Sequence, residues 1–298
     1  MRIENLEGYI DSLPNPDERK KKLSLFGSLP YQRINDSPTI KHYTDWSKFD
    51  EAELSLGQGR MTGDLKVVEV QETDSGIPYD SKLVPLIEAV AVKGTAEIDG
   101  NRRLSIEAQG KKLVPINMKI NVKDDSVLTL TFKATEAAMV GFLLNFTVPR
   151  GIRARVDLIV ESDPSSLVYG RYRIEDEGSL ELRVVTTTAK AGRVQGEVDL
   201  KEGATNTFLV RSLGYEGSMD NVIDVIHQGP KSVSDGTLKA VSFNDAMISI
   251  RGVATISETA YDSATSIVGR SFVQGNNAKA VVTPMLEVKT GRVKTAKH

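Results

Sequence analysis

From Leu83 to the C-terminus the sequence carries one strand-like run after another, and no segment repeats apolar residues at helical spacing. Ser126-Val127-Leu128-Thr129-Leu130-Thr131-Phe132, Ser179-Leu180-Glu181-Leu182-Arg183-Val184-Val185 and Ala246-Met247-Ile248-Ser249-Ile250 are examples, and turn dipeptides separate them. So long a stretch of strands folds as a sandwich, a barrel, a propeller or a solenoid. Spacing narrows the choice. The turns Asp124-Asp125, Arg150-Gly151, Glu177-Gly178 and Glu202-Gly203 fall at intervals of about 26, 27 and 25 residues. Each opens a similar strand: Ser126–Phe132, Ile152–Val160, Ser179–Val185 and Ala204–Val210. A period in the twenties is that of a stacked coil giving one strand to each face. The expectation is a mainly β chain, a right-handed parallel β-helix over residues 81–298. A sandwich of paired strands reproduces the same spacing and remains the alternative. Aromatic residues total 6%, which suits a thin interior filled by Val, Ile, Leu and Ala.

Residues 1–80 read as a helical and irregular N-terminal arm. Ile3, Leu6, Tyr9, Ile10 and Leu13 repeat at helical spacing until Pro14. A second helix is expected from Asn15 as cap and Pro16 at the first helical position to about Phe26. Residues 27–80 are rich in Gly, Asp, Ser and Pro, with a few short strands.

Composition excludes several chemistries. The 298 residues include no cysteine, so disulfides, thiolate nucleophiles and thiolate metal ligands are all ruled out. The net charge is −2. The densest run, Asp17-Glu18-Arg19-Lys20-Lys21-Lys22, mixes signs as a solvated helix face does, which argues against nucleic-acid binding. Met1-Arg2-Ile3-Glu4-Asn5 lacks a secretory apolar run. Ala137–Val148, the longest apolar stretch, is shorter than the roughly twenty residues of a spanning helix. A cytoplasmic protein without membrane contact is expected.

The last third carries a resemblance. Ile226-His227-Gln228-Gly229-Pro230-Lys231-Ser232-Val233-Ser234-Asp235-Gly236 looks like a recurring segment of the SufB/SufD family of iron–sulfur cluster assembly scaffolds. Asp245–Gly252 resembles that family's segment ending in Arg-Gly. Pro284-Met285-Leu286-Glu287-Val288 is similar to its "P-x-L-E-[IV]" strand, and Arg292–His298 to the run that closes on a histidine. The ordered matches span residues 226–298; over Leu83–Asn221 only the strand pattern agrees. The resemblance implies a β-helix, a pair of SufB-like and SufD-like subunits, and a SufC-like ATPase carried by that pair. It implies a nascent cluster at the subunit interface, near a SufB cysteine and the histidine matched by His298. The cysteine position corresponds to Ala278, so the chain is expected to be SufD-like and to hold no cofactor stably alone. Relatives continue beyond this histidine into a helical segment that docks the ATPase, so ATPase binding is not expected of these residues by themselves.

Among candidate sites, His298 is read as an iron ligand at the interface, since imidazole suits iron when placed on an exposed edge. The alternative is a terminal residue without a role. Glu287 alternates with Leu286 and Val288 and so faces away from them; it is read as a weaker metal candidate or as a solvated strand glutamate. His227 reads as a hydrogen-bonded structural residue, and His42 as packing with Tyr43 and Trp46. Asp124-Asp125 and Asp176-Glu177 are adjacent carboxylates that point apart and close coils. Gly57–Gly63 lacks the Lys and Ser/Thr of a phosphate loop. No catalytic constellation emerges, so a non-enzymatic scaffold that pairs through its C-terminal strands is the leading expectation. A structural homodimer without a cluster role is one alternative. A polysaccharide-acting β-helix enzyme is another, and it needs clustered carboxylates on one face.

Overall fold

A computed structural model of the chain describes residues 1–32, 44, 46–162, 165–188 and 191–298. His42 and its expected packing lie outside the described residues. The arm contributes helices α1 (Leu6–Asp11), α2 (Pro16–Ser28) and α3 (Ser47–Asp50), and strands β1 (Arg2–Ile3), β2 (Glu53–Leu56), β3 (Arg60–Gly63) and β4 (Val68–Val70). Helix α4 (Leu83–Val90) precedes β5 (Lys93–Gln109), β6 (Lys112–Thr135), β7 (Met139–Val148), β8 (Arg153–Ser162) and β9 (Ser165–Ile174). Then come β10 (Ser179–Thr188), β11 (Ala191–Leu200), β12 (Thr205–Gly214), β13 (Ser218–His227) and β14 (Val233–Phe243). The last four strands are β15 (Met247–Ile256), β16 (Ser263–Gln274), β17 (Lys279–Val288) and β18 (Val293–Lys297).

From β6 onward each strand pairs in parallel with the strand two places on, so the chain winds a β-solenoid of about seven turns. The later half of β6 with β8, β10, β12, β14, β16 and β18 makes a front face. The earlier half of β6 with β7, β9, β11, β13, β15 and β17 makes a back face. Residues alternate between the interior and the outside along each strand: β12 reads half-buried, buried, exposed, buried almost throughout.

The turns between coils stack. Gly151, Glu177, Gly203, Lys231 and Asp262 all adopt the left-handed conformation, with φ of 71°, 59°, 64°, 57° and 58°. The amide of each donates to the carbonyl preceding its counterpart in the next coil, as in Gly151 N to Asp176 O and Gly203 N to Pro230 O. The expected dipeptides Arg150-Gly151, Glu177-Gly178 and Glu202-Gly203 thus fall at one corner. Asp124-Asp125 closes a coil differently: it lies inside the continuous strand β6, where the pairing of β5 and β6 skips between Ile98 and Gly100.

Three features depart from the expectation. Leu83–Val90 is a helix, not a strand. Every one of its residues is buried, Glu88 included, so the helix lacks the solvated polar face that marks one in a sequence. Aromatic rings do fill the interior: Phe132, Phe142, Phe146, Phe208 and Tyr172 are at most 2% exposed. Glycines admit them. A Cβ on Gly236 would sit 2.2 Å from the Phe208 ring in the coil before. Finally, Asn15 stands at the N-cap of α2 without a side-chain capping bond; its amide donates instead to Gln71 O at 2.9 Å.

The arm lies over the outside of the back face, where Phe49, Leu54, Leu83 and Ile87 share one apolar cluster with Leu143, Leu167 and Tyr169. β3 and β4 pair antiparallel with β5 and cap the N-terminal end of the solenoid.

Candidate partner interface at the C-terminal end

The two ends of the solenoid differ. At the C-terminal end β18 pairs only with Ser263–Ser266 of β16, with a register shift between Ser263 and Ala264. Among the described residues no strand follows Ile267–Gln274 of β16, or any part of β17. Interior positions of this last coil therefore open outward. Val273 is 44% and Val288 40% exposed, although both alternate with outward-facing neighbours. Val282, Pro284 and Leu286 are half-buried, and Phe272 on the outer side is 55% exposed. Pro284 has no amide to donate, and residues of that type belong on edge strands. The end is thus an apolar surface carried on partly blunted strand edges.

Glu287 faces out from β17, as its alternation with Leu286 and Val288 predicts. Its carboxylate lies 3.5 Å from Lys289 Nζ and accepts a 3.3 Å bond from Thr255 Oγ1. His298 follows β18 on the opposite face and is exposed. The structure therefore does not bring these two residues together. Among the described residues no group of three or more His, Asp or Glu side chains is arranged to hold a metal ion. Ala278 is buried in the turn before β17.

His227 lies in the interior, fully buried. Its Nδ1 is 2.7 Å from Ser232 Oγ and its Nε2 2.8 Å from Ser234 Oγ. Those hydroxyls pair with Ser263 and Thr265 of the next coil at 2.9 and 2.7 Å. Burial pushes its pKa down to about 4, against the bond to Ser232.

Other buried polar groups pin the arm. Glu88 is fully buried in α4. It accepts from Ser75 N and Lys22 Nζ, both at 2.6 Å, and from Ser75 Oγ and Tyr79 OH, both at 2.5 Å. Burial works to lower the Lys22 pKa, but the bonds to Glu88 and Tyr79 win and raise it. Burial, then the bond to Glu88, pushes Tyr79 up to about 12. Farther along the back face Arg193 meets Asp220 at 2.6 Å, both nearly inaccessible. Thr44 and Trp46 of the arm cover this pair. Sequence reading placed Lys22, with Arg19, on a solvated helix face, which the burial of both corrects, and passed over the other groups. Glu88 had a legible signal, as the single charge within Leu83–Val90, whereas Arg193 and Asp220 meet only through coil register.

Beside α4 a cleft is lined by Ile77, Asp80, Ser81, Tyr169, Gln195 and Glu197. Burial first, then Asp199, raises the Glu197 pKa. Arg171 lies 3.2 Å from Glu197 and 3.0 Å from Asp199, so these carboxylates are engaged in ion pairs.

With this geometry in hand, comparison with protein-family models identifies the family. The model described as SUF system FeS cluster assembly, SufBD core domain, covers residues 105–298. That range begins within β5 and takes in all later coils, including those where the sequence showed only strand pattern. No curated protein matches the chain.

Proposed function

The chain belongs to the SufBD core family of SUF-system iron–sulfur cluster assembly proteins, and from that premise we propose that it is a scaffold subunit, not a catalyst in its own right, pairing with a second subunit through its C-terminal coil. Its role in iron–sulfur cluster assembly follows from the family. The pairing surface rests on one observation: interior positions of the last coil, among them Val273 and Val288, stand exposed beside Phe272. Covering the exposed half of such side chains contributes about 1 kcal/mol each, which favours covering the end with another apolar surface.

The donors present limit what the chain offers a nascent cluster, which is cargo here. Without cysteine it supplies no thiolate, and His298 supplies one exposed imidazole. The remaining ligands come from the partner, whose chemistry is that of a cysteine-bearing SufB-like paralogue. Self-pairing gives a dimer with imidazoles but no thiolates. The absence of cysteine favours that second reading only if the chain has no cluster role.

Co-expression with a SufB-like partner tests the assignment. Phe272→Asp combined with Val288→Asp changes two side chains that already meet water, 55% and 40% exposed, so the coil should stay folded while co-purification is lost. Retained complex would refute the pairing surface. His298→Ala should leave the complex intact and lower the iron and sulfide it carries; unchanged loading removes His298 from the ligand set.

A further inference from the structure

The outer surface of the front face carries a row of cations. Arg211 of β12 is paired in register with Lys239 of β14, and Lys239 with Arg270 of β16. All three are exposed. Strands in a sheet lie about 4.8 Å apart, so like charges are stacked one above another, an arrangement that is destabilising by itself. Among the described residues none of the three has an ion-pair partner. Earlier coils on the same face are arranged differently: Arg155 meets Asp157 at 3.3 Å and Arg183 meets Glu181 at 2.7 Å.

Rows with large apolar side chains flank the cations on both sides. Leu209, Thr237 and Val268 stand two residues before Arg211, Lys239 and Arg270, and Leu213, Val241 and Phe272 two residues after them. Val268 is 50% and Phe272 55% exposed. At the corner Tyr215 stacks on Phe243 with centroids 5.0 Å apart, and Phe243 meets Phe272 edge-on at 6.2 Å.

We propose that this surface docks an acidic segment of a protein partner, with carboxylates over Arg211, Lys239 and Arg270 and apolar side chains over the rows beside them. Charge complementarity selects the carboxylates. The aliphatic rows select protein over nucleic acid, whose sugar–phosphate backbone offers them nothing to bury. The surface lies on the outer side of the front face; it shares β16, with Phe272, with the end assigned to subunit pairing and extends from it over β14 and β12. Arg211 and Lys239 sit on strands below the terminal one, so their variants leave that end intact.

Fluorescence anisotropy with the full-length chain tests this. The probes are a labelled peptide of about twelve residues with Glu spaced among Leu and Phe, its Lys-for-Glu counterpart, and a labelled oligothymidine. The acidic peptide should bind, and Lys239→Glu should weaken it about tenfold or more. Arg150→Glu, which alters a cation already paired with Glu177 at 3.2 Å, should bind as wild type does. Thermal unfolding supplies a control: Lys239→Glu relieves the stacked charge and should raise Tm by about 1–2 °C. No binding of the acidic peptide, equal binding by Lys239→Glu, tighter binding of oligothymidine, or a lowered Tm in Lys239→Glu would each overturn the proposal.

Discussion

At His227 the fold places an imidazole where water does not reach, between the hydroxyls of Ser232 and Ser234. Its pKa, pushed down to about 4 by burial, lies below the 6.5 of a free imidazole. Above pH 6.5 both folded and unfolded chains hold it neutral, and it adds no pH dependence. As pH falls toward 4 only the unfolded chain takes up the proton, so stability is lost across that window. The total is on the order of 3 kcal/mol. Urea unfolding at pH 7 and pH 4.5 should therefore show a smaller drop for His227→Gln than for wild type; equal drops would place the titration elsewhere. The sequence marked His227 as structural from its strand and the Gly-Pro turn after it. It could not show how the two serines that meet the ring are held, because their partners Ser263 and Thr265 lie 31 residues beyond Ser232 and Ser234. Exposure of Glu287 was legible from alternation alone; its distance from His298 was not, since that depends on which face each strand joins.

Among the elements, the corner ladder of left-handed residues carries the coil period. An L-residue there costs roughly 1 kcal/mol relative to glycine, after the entropy glycine adds to the unfolded chain. Lys231 holds φ at 57° and Gly203 holds it at 64° in equivalent turns. Lys231→Gly should raise Tm by about 2–4 °C and Gly203→Ala should lower it by a similar amount. Shifts of the opposite sign would show that the corners are set by contacts and not by backbone conformation. The turns were legible because Gly and adjacent acidic residues mark them at nearly constant spacing. Coil growth toward the C-terminus was not: Thr186 and Ser212 pair across 26 residues, but Ser234 and Thr265 across 31. Helix α4 was hidden for a related reason, since burial on every side erases the pattern that distinguishes helix from strand.

Across the whole molecule the two ends of the stack are treated differently. β3 and β4 cross the first coil antiparallel, and Leu65 and Val67 pack against the core there. Among the described residues the last coil leaves Ile267–Gln274 and β17 without a following strand and turns interior valines outward. A stack of parallel coils has two edges, and an apolar edge is a surface suited to being covered, as the proposed pairing requires. Hydrogen–deuterium exchange on the chain alone and with a SufB-like partner measures this most directly. Pairing through the C-terminal coil predicts slowed exchange over Ile267–Val288 in the complex, with β3 and β4 unchanged. Protection confined to the β3–β4 end, or none over Ile267–Val288, would contradict it.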